Sequence, residues 1–326
     1  MAGLVHTYLT QRLHLRYVGF GKKIGLNIPP GEGGLTALGE PDHTPGSSAV
    51  EIKVLSQNVW CHYLQQWYVP SMRIRLQALT DAIEKEAYHL VLVQELFLLR
   101  IGPFAITHDW ETFASRMAGM GFVGISDPRS SLPFFGQNSG LVLFSRSPFA
   151  SPPQSASFTV TGEKVCVKGF VHADVPLSNG RTLHVCTTHL DSKKKPKGVQ
   201  TRQGDMLREQ AVAPFLKAGA AILVAGDFNI CSKGSKDDGT QYTLLSAAMA
   251  PLIDIYGPGQ GEVAATRRPN TKPWVRGAAK GKLGKAAIDH AFVSAASFQA
   301  DLRDFRAEKR NIVCSDHLGL EFSLTL

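Results

Sequence analysis

Residues 223–230 read LVAGDFNI, an apolar run broken by Gly226, Asp227 and Asn229. Its first half has the character of a strand buried on both faces. If the extended backbone continues past Gly226, residues i and i+2 point to one face, and Asp227 and Asn229 converge on a common ligand. An Asx-type turn leaving a core strand accounts for the same residues, because Asp and Asn side chains satisfy nearby backbone groups there. The stretch alone leaves both readings open, and the rest of the chain has to separate them.

Further strand-like runs lie on either side: EIKVLSQNV (51–59), HLVLVQE (89–95), FVGIS (122–126), SGLVLFS (139–145), KVCVKGFVHADV (164–175) and RTLHVCTTHL (181–190). AAIDHAFVS (286–294) and HLGLEFSLTL (317–326) close the chain. Asn179-Gly180 between two of these runs is a hairpin signal. Helical spacing of Leu76, Leu79 and Ile83 predicts a helix over 72–87, and further helices are expected over 109–120 and 200–217. A Lys-, Gly- and Asp-rich loop is expected over 231–240, and a polar, basic segment over 257–287. Strands interleaved with helices, but also with hairpins, predict mixed sheets covered by helices, a layered α/β sandwich rather than a purely parallel wound sheet.

The 326 residues are 44% hydrophobic and 19% charged, a composition for a sizeable soluble core. No apolar run reaches the roughly 18 residues of a membrane span. Five scattered cysteines without a C-x-x-C pair indicate neither a zinc site nor a disulfide framework, and favour a reducing, intracellular setting, cytoplasmic or peripheral to a membrane. The formal net charge of +8 favours anionic partners: nucleic acid, phospholipid surfaces or phosphorylated substrates. Residues 1–48 read as a basic leader and a Gly/Pro-rich linker, with 49–326 as the main domain. The leader lacks a secretory h-region, while an organellar presequence stays open.

The runs end in one kind of residue. Asn58, Glu95, His189, Asp227, Asn229, Asp289, Asp316 and His317 all fall at or just beyond strand ends, where ligand clefts form in layered α/β proteins. Singly, each has a dull explanation as a surface or capping group; together they define a chemistry. Hard oxygen ligands without a thiolate cluster imply Mg²⁺, or Mn²⁺ as a relative. Histidines with a further carboxylate supply proton transfer, which suits hydrolysis of a phosphate ester by an activated water. No G-x-S-x-G, Walker A or G-x-G-x-x-G signature offers a competing reaction.

In their order, Asn58, QE (94–95), NSG (138–140), THL (188–190), GDFN (226–229), IDH (288–290) and SDH (315–317) resemble the endonuclease/exonuclease/phosphatase, DNase I-like superfamily. The resemblance implies a four-layered α/β sandwich, two mixed β-sheets flanked by helices. It implies Glu95 as the principal metal ligand, with Asn58 and Asp316 close to the metal. His189, Asp227, Asn229, Asp289 and His317 take the catalytic positions, with either Asp227 or His317 as general base. NSGLVLFSRSPF followed by VKGFVHADV is similar to the neutral sphingomyelinase branch, and implies that Asn138 and Lys168 bind substrate. That branch implies a phospholipid substrate or membrane surface reached peripherally; a nuclease is the alternative, and a non-catalytic scaffold of the same fold a third. Trp60, Tyr63, Trp67 and Tyr68 read either as an interfacial rim or as packing on the first helix. Basic stretches at 191–198 and 266–285 suit a nucleic-acid backbone, an anionic bilayer or a solvated loop.

Overall fold

The computed structural model of the chain describes residues 15–17, 27–28, 49–61, 72–101, 104–106, 108–127, 135–163, 166–192, 198–232, 239–258, 287–294, 315, 317 and 319–326. Asp316, Tyr63, Trp67, Tyr68, the lysines of 193–197 and the basic stretch 266–285 lie outside the described residues.

In chain order the strands are β1 (Leu15–Tyr17), β2 (Asn27–Ile28), β3 (Glu51–Asn58), β4 (Leu90–Gln94), β5 (Leu99–Ile101) and β6 (Phe104–Ile106). There follow β7 (Val123–Ser126), β8 (Phe135–Gln137), β9 (Val142–Ser145), β10 (Gln154–Ser157), β11 (Gly169–Pro176) and β12 (Thr182–His189). The last four are β13 (Ala221–Asp227), β14 (Leu252–Asp254), β15 (Asp289–Ser294) and β16 (Leu320–Thr325). Five α-helical segments are described: α1 (Met72–Glu86), α2 (His108–Gly119), α3 (Val199–Leu207), α4 (Ala213–Lys217) and α5 (Thr240–Met249).

Two six-stranded mixed sheets, β16-β3-β4-β9-β7-β2 and β10-β11-β12-β13-β15-β14, form the centre of the fold. A smaller sheet, β1-β6-β5-β8, is added beside them, and through β1 and β2 two stretches of the N-terminal region pair with the body of the chain. The layers follow from which face of each strand is apolar. Val54, Leu92 and Leu143 of the first sheet meet Val185, Leu223 and Val293 of the second in one buried cluster between the sheets. The opposite face of the first sheet, including Val91 and Val93, packs on Leu76, Leu79 and Ile83 of α1 and Phe113 of α2. The opposite face of the second, including Ile222, Val224 and Phe292, packs on Leu207 of α3 and Leu245 of α5. Burial of both faces explains why β4 and β13 read as continuous apolar runs. The result is a helix–sheet–sheet–helix sandwich of four layers.

The short strands β1, β2, β5, β6, β8, β10 and β14 were not expected from the sequence, and two helical details also depart from it. The helix expected over 200–217 is interrupted by a π-turn, Arg208–Val212, where His184 Nε2 bonds the carbonyl of Ala211 at 3.1 Å. Helix α5 was not expected, because only Leu245 and Met249 of TQYTLLSAAM are buried and no amphipathic stripe marks it.

Candidate active site

Register brings the polar strand ends together. β3 and β4 run parallel with Asn58 opposite Gln94, so that Glu95 follows directly beyond the pair. β12 and β13 are also parallel and place His189 opposite Asp227; β15 runs antiparallel to β13 and places Asp289 opposite the same Asp227. His189, Asp227 and Asp289 thus form one row across three neighbouring strands. Gly226 permits the close approach, since a Cβ there would lie 2.1 Å from the carbonyl oxygen of Thr188.

The two sheets meet through these side chains. Asn58 Nδ2 lies 3.0 Å from both Glu95 Oε1 and Asp227 Oδ2, while its Oδ1 accepts from the Trp60 backbone N–H at 2.9 Å. Asn58 is therefore a donor bridging two carboxylates in this arrangement. Gln94 Nε2 donates to Ser56 Oγ and Thr187 Oγ1, a second link between the sheets just behind the cluster. Glu95 itself has φ 59°, in the left-handed region where a Cβ is disfavoured. Gly140 (φ 65°) packs against that turn, where a Cβ would come within 2.9 Å of the Glu95 Cα, and its carbonyl accepts from Leu96 N.

LVAGDFNI resolves into both of its readings. β13 ends at Asp227, whose Oδ1 accepts from Asn229 N at 2.8 Å, an Asx turn with Asn229 at φ 51°. The turn also delivers both side chains to one place. Asn229 Nδ2 lies 3.2 Å from His189 Nε2, and Asp227 Oδ2 lies 3.4 Å from the same nitrogen. On the far side of Asp227, His317 Nδ1 pairs with Asp289 Oδ2 at 2.9 Å and points its Nε2 toward Asp227 Oδ2 at 3.8 Å.

Lys168 joins this cluster, and Asn138 does not. The Lys168 ammonium lies 2.8 Å from His189 Nε2 and 3.6 Å from Glu163 Oε2. Asn138 spends its carboxamide on backbone groups, accepting from Leu98 N and Gly140 N and donating to Asp127 O. It braces the loop that follows Glu95. Trp60 lies over the guanidinium of Arg75 in α1, whose Nη atoms hold the carbonyls of Val59 and Trp60, so this aromatic packs on the first helix. Glu163 escaped the sequence reading because nothing in TGEK sets it apart; it accepts from Ser192 Oγ at 2.6 Å as well as facing Lys168.

Burial governs the protonation states. Burial and then the Asp289 carboxylate push Asp227 up to about 7, with the His317 ring working the other way. Burial and the Lys168 ammonium push His189 down to about 3, so the ring is neutral at neutral pH. Its Nε2, acting as acceptor, serves both Lys168 and Asn229. Burial opposes charge on Lys168, but Cys166, Glu163, Glu95 and Asp227 outweigh it and raise its pKa. Burial would raise Glu163, yet Lys168 and the hydrogen bonds from Cys166 and Ser192 hold it at about 2.

Among the described residues, two overlapping groups offer ligand atoms within 4.8 Å of one another: Glu95, His189 and Asp227, and Asp227, Asp289 and His317. Buried carboxylates with imidazoles, and no thiolate among them, are a donor set that fits a divalent cation.

A four-layered sandwich of two mixed sheets, with a carboxylate and histidine cluster across its strand ends, is the DNase I-like architecture. The family model for the Endonuclease/Exonuclease/phosphatase family matches residues 55–317, and the chain belongs to that family. Its members are hydrolases that cleave phosphate esters, typically with a divalent metal. Among solved structures, the chain is similar to the beta toxin of Staphylococcus aureus (14% identity, 83% of this chain and 99% of that chain, TM-score 0.57). It is also similar to an endonuclease/exonuclease/phosphatase from Beutenbergia cavernae (19%, 85% and 72%, TM-score 0.59). A third is the D. rerio TDP2 complexed with single strand DNA product (16%, 84% and 98%, TM-score 0.54). No curated protein matches the chain in sequence.

Proposed function

We propose that this chain is a divalent-metal-dependent phosphodiester hydrolase that cleaves a phospholipid headgroup in the manner of a sphingomyelinase-like phospholipase C. The observation that carries the lipid assignment is Lys168. It is the lysine of the K-G strand in the sphingomyelinase-like pattern, and it lies buried against His189 inside the cluster.

A divalent cation held by Glu95, with Asp227 close by and Asn58 bridging the two carboxylates, would neutralise charge on the phosphoryl oxygens. Asp227, with its carboxyl raised to about 7, sits where a carboxylate can take a proton from water near neutral pH. Asp289 holds Nδ1 of His317, so that Nε2 is presented to the reacting oxygens beside Asp227. On the opposite side, the Lys168 ammonium would supply positive charge to the phosphate, with Asn229 and His189 beside it.

A nuclease is the second reading, favoured by the net charge of +8 and by the basic run that begins directly after His189 at 191–198. One experiment separates them. The purified protein is incubated with Mg²⁺ and either sphingomyelin vesicles or plasmid DNA, with EDTA and His317→Ala as controls. Phosphocholine release lost in both controls supports the lipid reading. DNA nicking lost in both, without phosphocholine release, replaces it with the nuclease.

A further inference from the structure

We propose that Gln200 and His290 are positioning residues that clamp the Asn229 turn and thereby hold its carboxamide against His189. The inference rests on the phosphodiester-hydrolase reading of the site. Neither side chain makes a hydrogen bond to the carboxylate cluster, so neither is a catalytic residue.

The turn needs holding because Asn229 sits at φ 51° immediately beyond the end of β13. Its backbone groups are secured one by one. Phe228 N donates to Ile288 O at 3.0 Å, and Asn229 N donates to Asp227 Oδ1. The next two carbonyls are taken by buried side chains from different layers of the fold. Gln200 Nε2, in the first turn of α3, donates to Asn229 O at 2.8 Å. Its second hydrogen goes to Asp191 O, also at 2.8 Å, so one carboxamide ties the segment after His189 to the segment after Asp227. His290 Nε2 contacts Ile230 O at 2.8 Å.

His290 is fixed in turn. Its Nδ1 faces Asp254 Oδ2 at 2.8 Å, and that carboxylate also accepts from Tyr242 Oη and from Tyr256 N. Both ring nitrogens face acceptors, which leaves the ring one orientation. It is completely buried. The neighbouring residue of β15, Asp289, faces the opposite side and holds His317, so one strand supports the reaction centre from two directions.

The test uses the full chain with Mg²⁺ and bis(p-nitrophenyl) phosphate as the probe. Gln200→Met, His290→Asn and His290→Gln are measured singly and each combined with Asn229→Ala. Gln200→Met and His290→Asn are expected to lower kcat by about tenfold or more with KM nearly unchanged, the signature of a displaced reacting group. His290→Gln, which keeps a donor near the position of Nε2, is expected to recover most of that loss. In the Asn229→Ala background none of the three should lower kcat further, because the group they position is gone. Losses that add to that of Asn229→Ala, or equal losses for the Asn and Gln variants, overturn the proposal. Amide hydrogen exchange over residues 228–232 reads the clamp without turnover: it should rise in Gln200→Met, and unchanged exchange overturns the clamp. An inactive wild-type protein sinks the hydrolase reading instead, a different outcome from an active enzyme indifferent to both residues.

Discussion

Two neighbouring residues of β15 each take part in a histidine–aspartate pair, and the two pairs face opposite ways. Asp289 points into the cluster and holds His317 Nδ1, leaving Nε2 3.8 Å from Asp227. His290 points into the helix layer, where Asp254 and the Ile230 carbonyl occupy both of its nitrogens. The chemistry of the residues is the same, but the second nitrogen of the first ring faces a carboxylate of the cluster, and that of the second ring a backbone carbonyl of the Asn229 turn. Burial alone does not distinguish them, because both histidines and both carboxylates are buried. What separates the two pairs is the group that the second ring nitrogen faces.

That contrast is open to direct attack. The largest effect is expected from His317→Ala, which should lower hydrolysis of the accepted substrate by about a thousandfold while thermal unfolding stays close to wild type. A loss of tenfold or less would put His317 outside the reaction. Asp254→Asn should do the reverse. Leaving the His290 ring buried without its carboxylate costs about 3 kcal/mol, read by urea unfolding, whereas activity of the folded protein falls far less than in His317→Ala. Equal kinetic damage from the two substitutions would erase the difference between the pairs.

Two smaller effects lie in the pH dependence of stability. Asp227, raised to about 7 from an ordinary 3.8, keeps its proton in the folded chain over a range where the unfolded chain has lost it. Stability of the metal-free protein should therefore fall as pH rises from about 4 through about 7, and Asp227→Asn should remove that slope. Glu163 has the opposite sign. Held at about 2 by Lys168 and its hydrogen bonds despite burial, it stabilises the fold at pH values above its ordinary 4.5. That contribution is lost as pH falls toward 2, and Glu163→Gln should flatten the acid limb of a thermal-melting profile. A steeper acid limb in the variant would mean that Glu163 is not held ionised by Lys168.

Much of this was legible in the chain. The runs around Leu55, Val91 and Leu223 announced strands, because burial on one or both faces demands apolar residues in a simple pattern. Helix α5 stayed hidden because two buried residues in ten leave no stripe to read. The candidate site residues were conspicuous because so many Asn, Asp, Glu and His side chains fall together at the ends of apolar runs. Asn138 and Asn58 show the limit of that signal. Both lie in recognisable motifs, yet one braces three backbone groups and the other presents its amide nitrogen to two carboxylates. Carboxamide orientation is set by partners distant in sequence, such as Asn58 and Asp227, 169 positions apart.

By itself, then, the sequence determined the layered α/β class, the family, and the residue types gathered at the strand ends. These follow from hydrophobic periodicity and from short motifs, both local in the chain. Only the tertiary structure decided that LVAGDFNI ends in an Asx turn and still converges on His189. It also decided where Gln200, Glu163 and His290 make their hydrogen bonds, and which of the two histidine–aspartate pairs faces the carboxylate cluster. The physical reason is that hydrogen-bond partners and pKa shifts depend on distances between strands and layers, and those distances exist only once the sheets have packed.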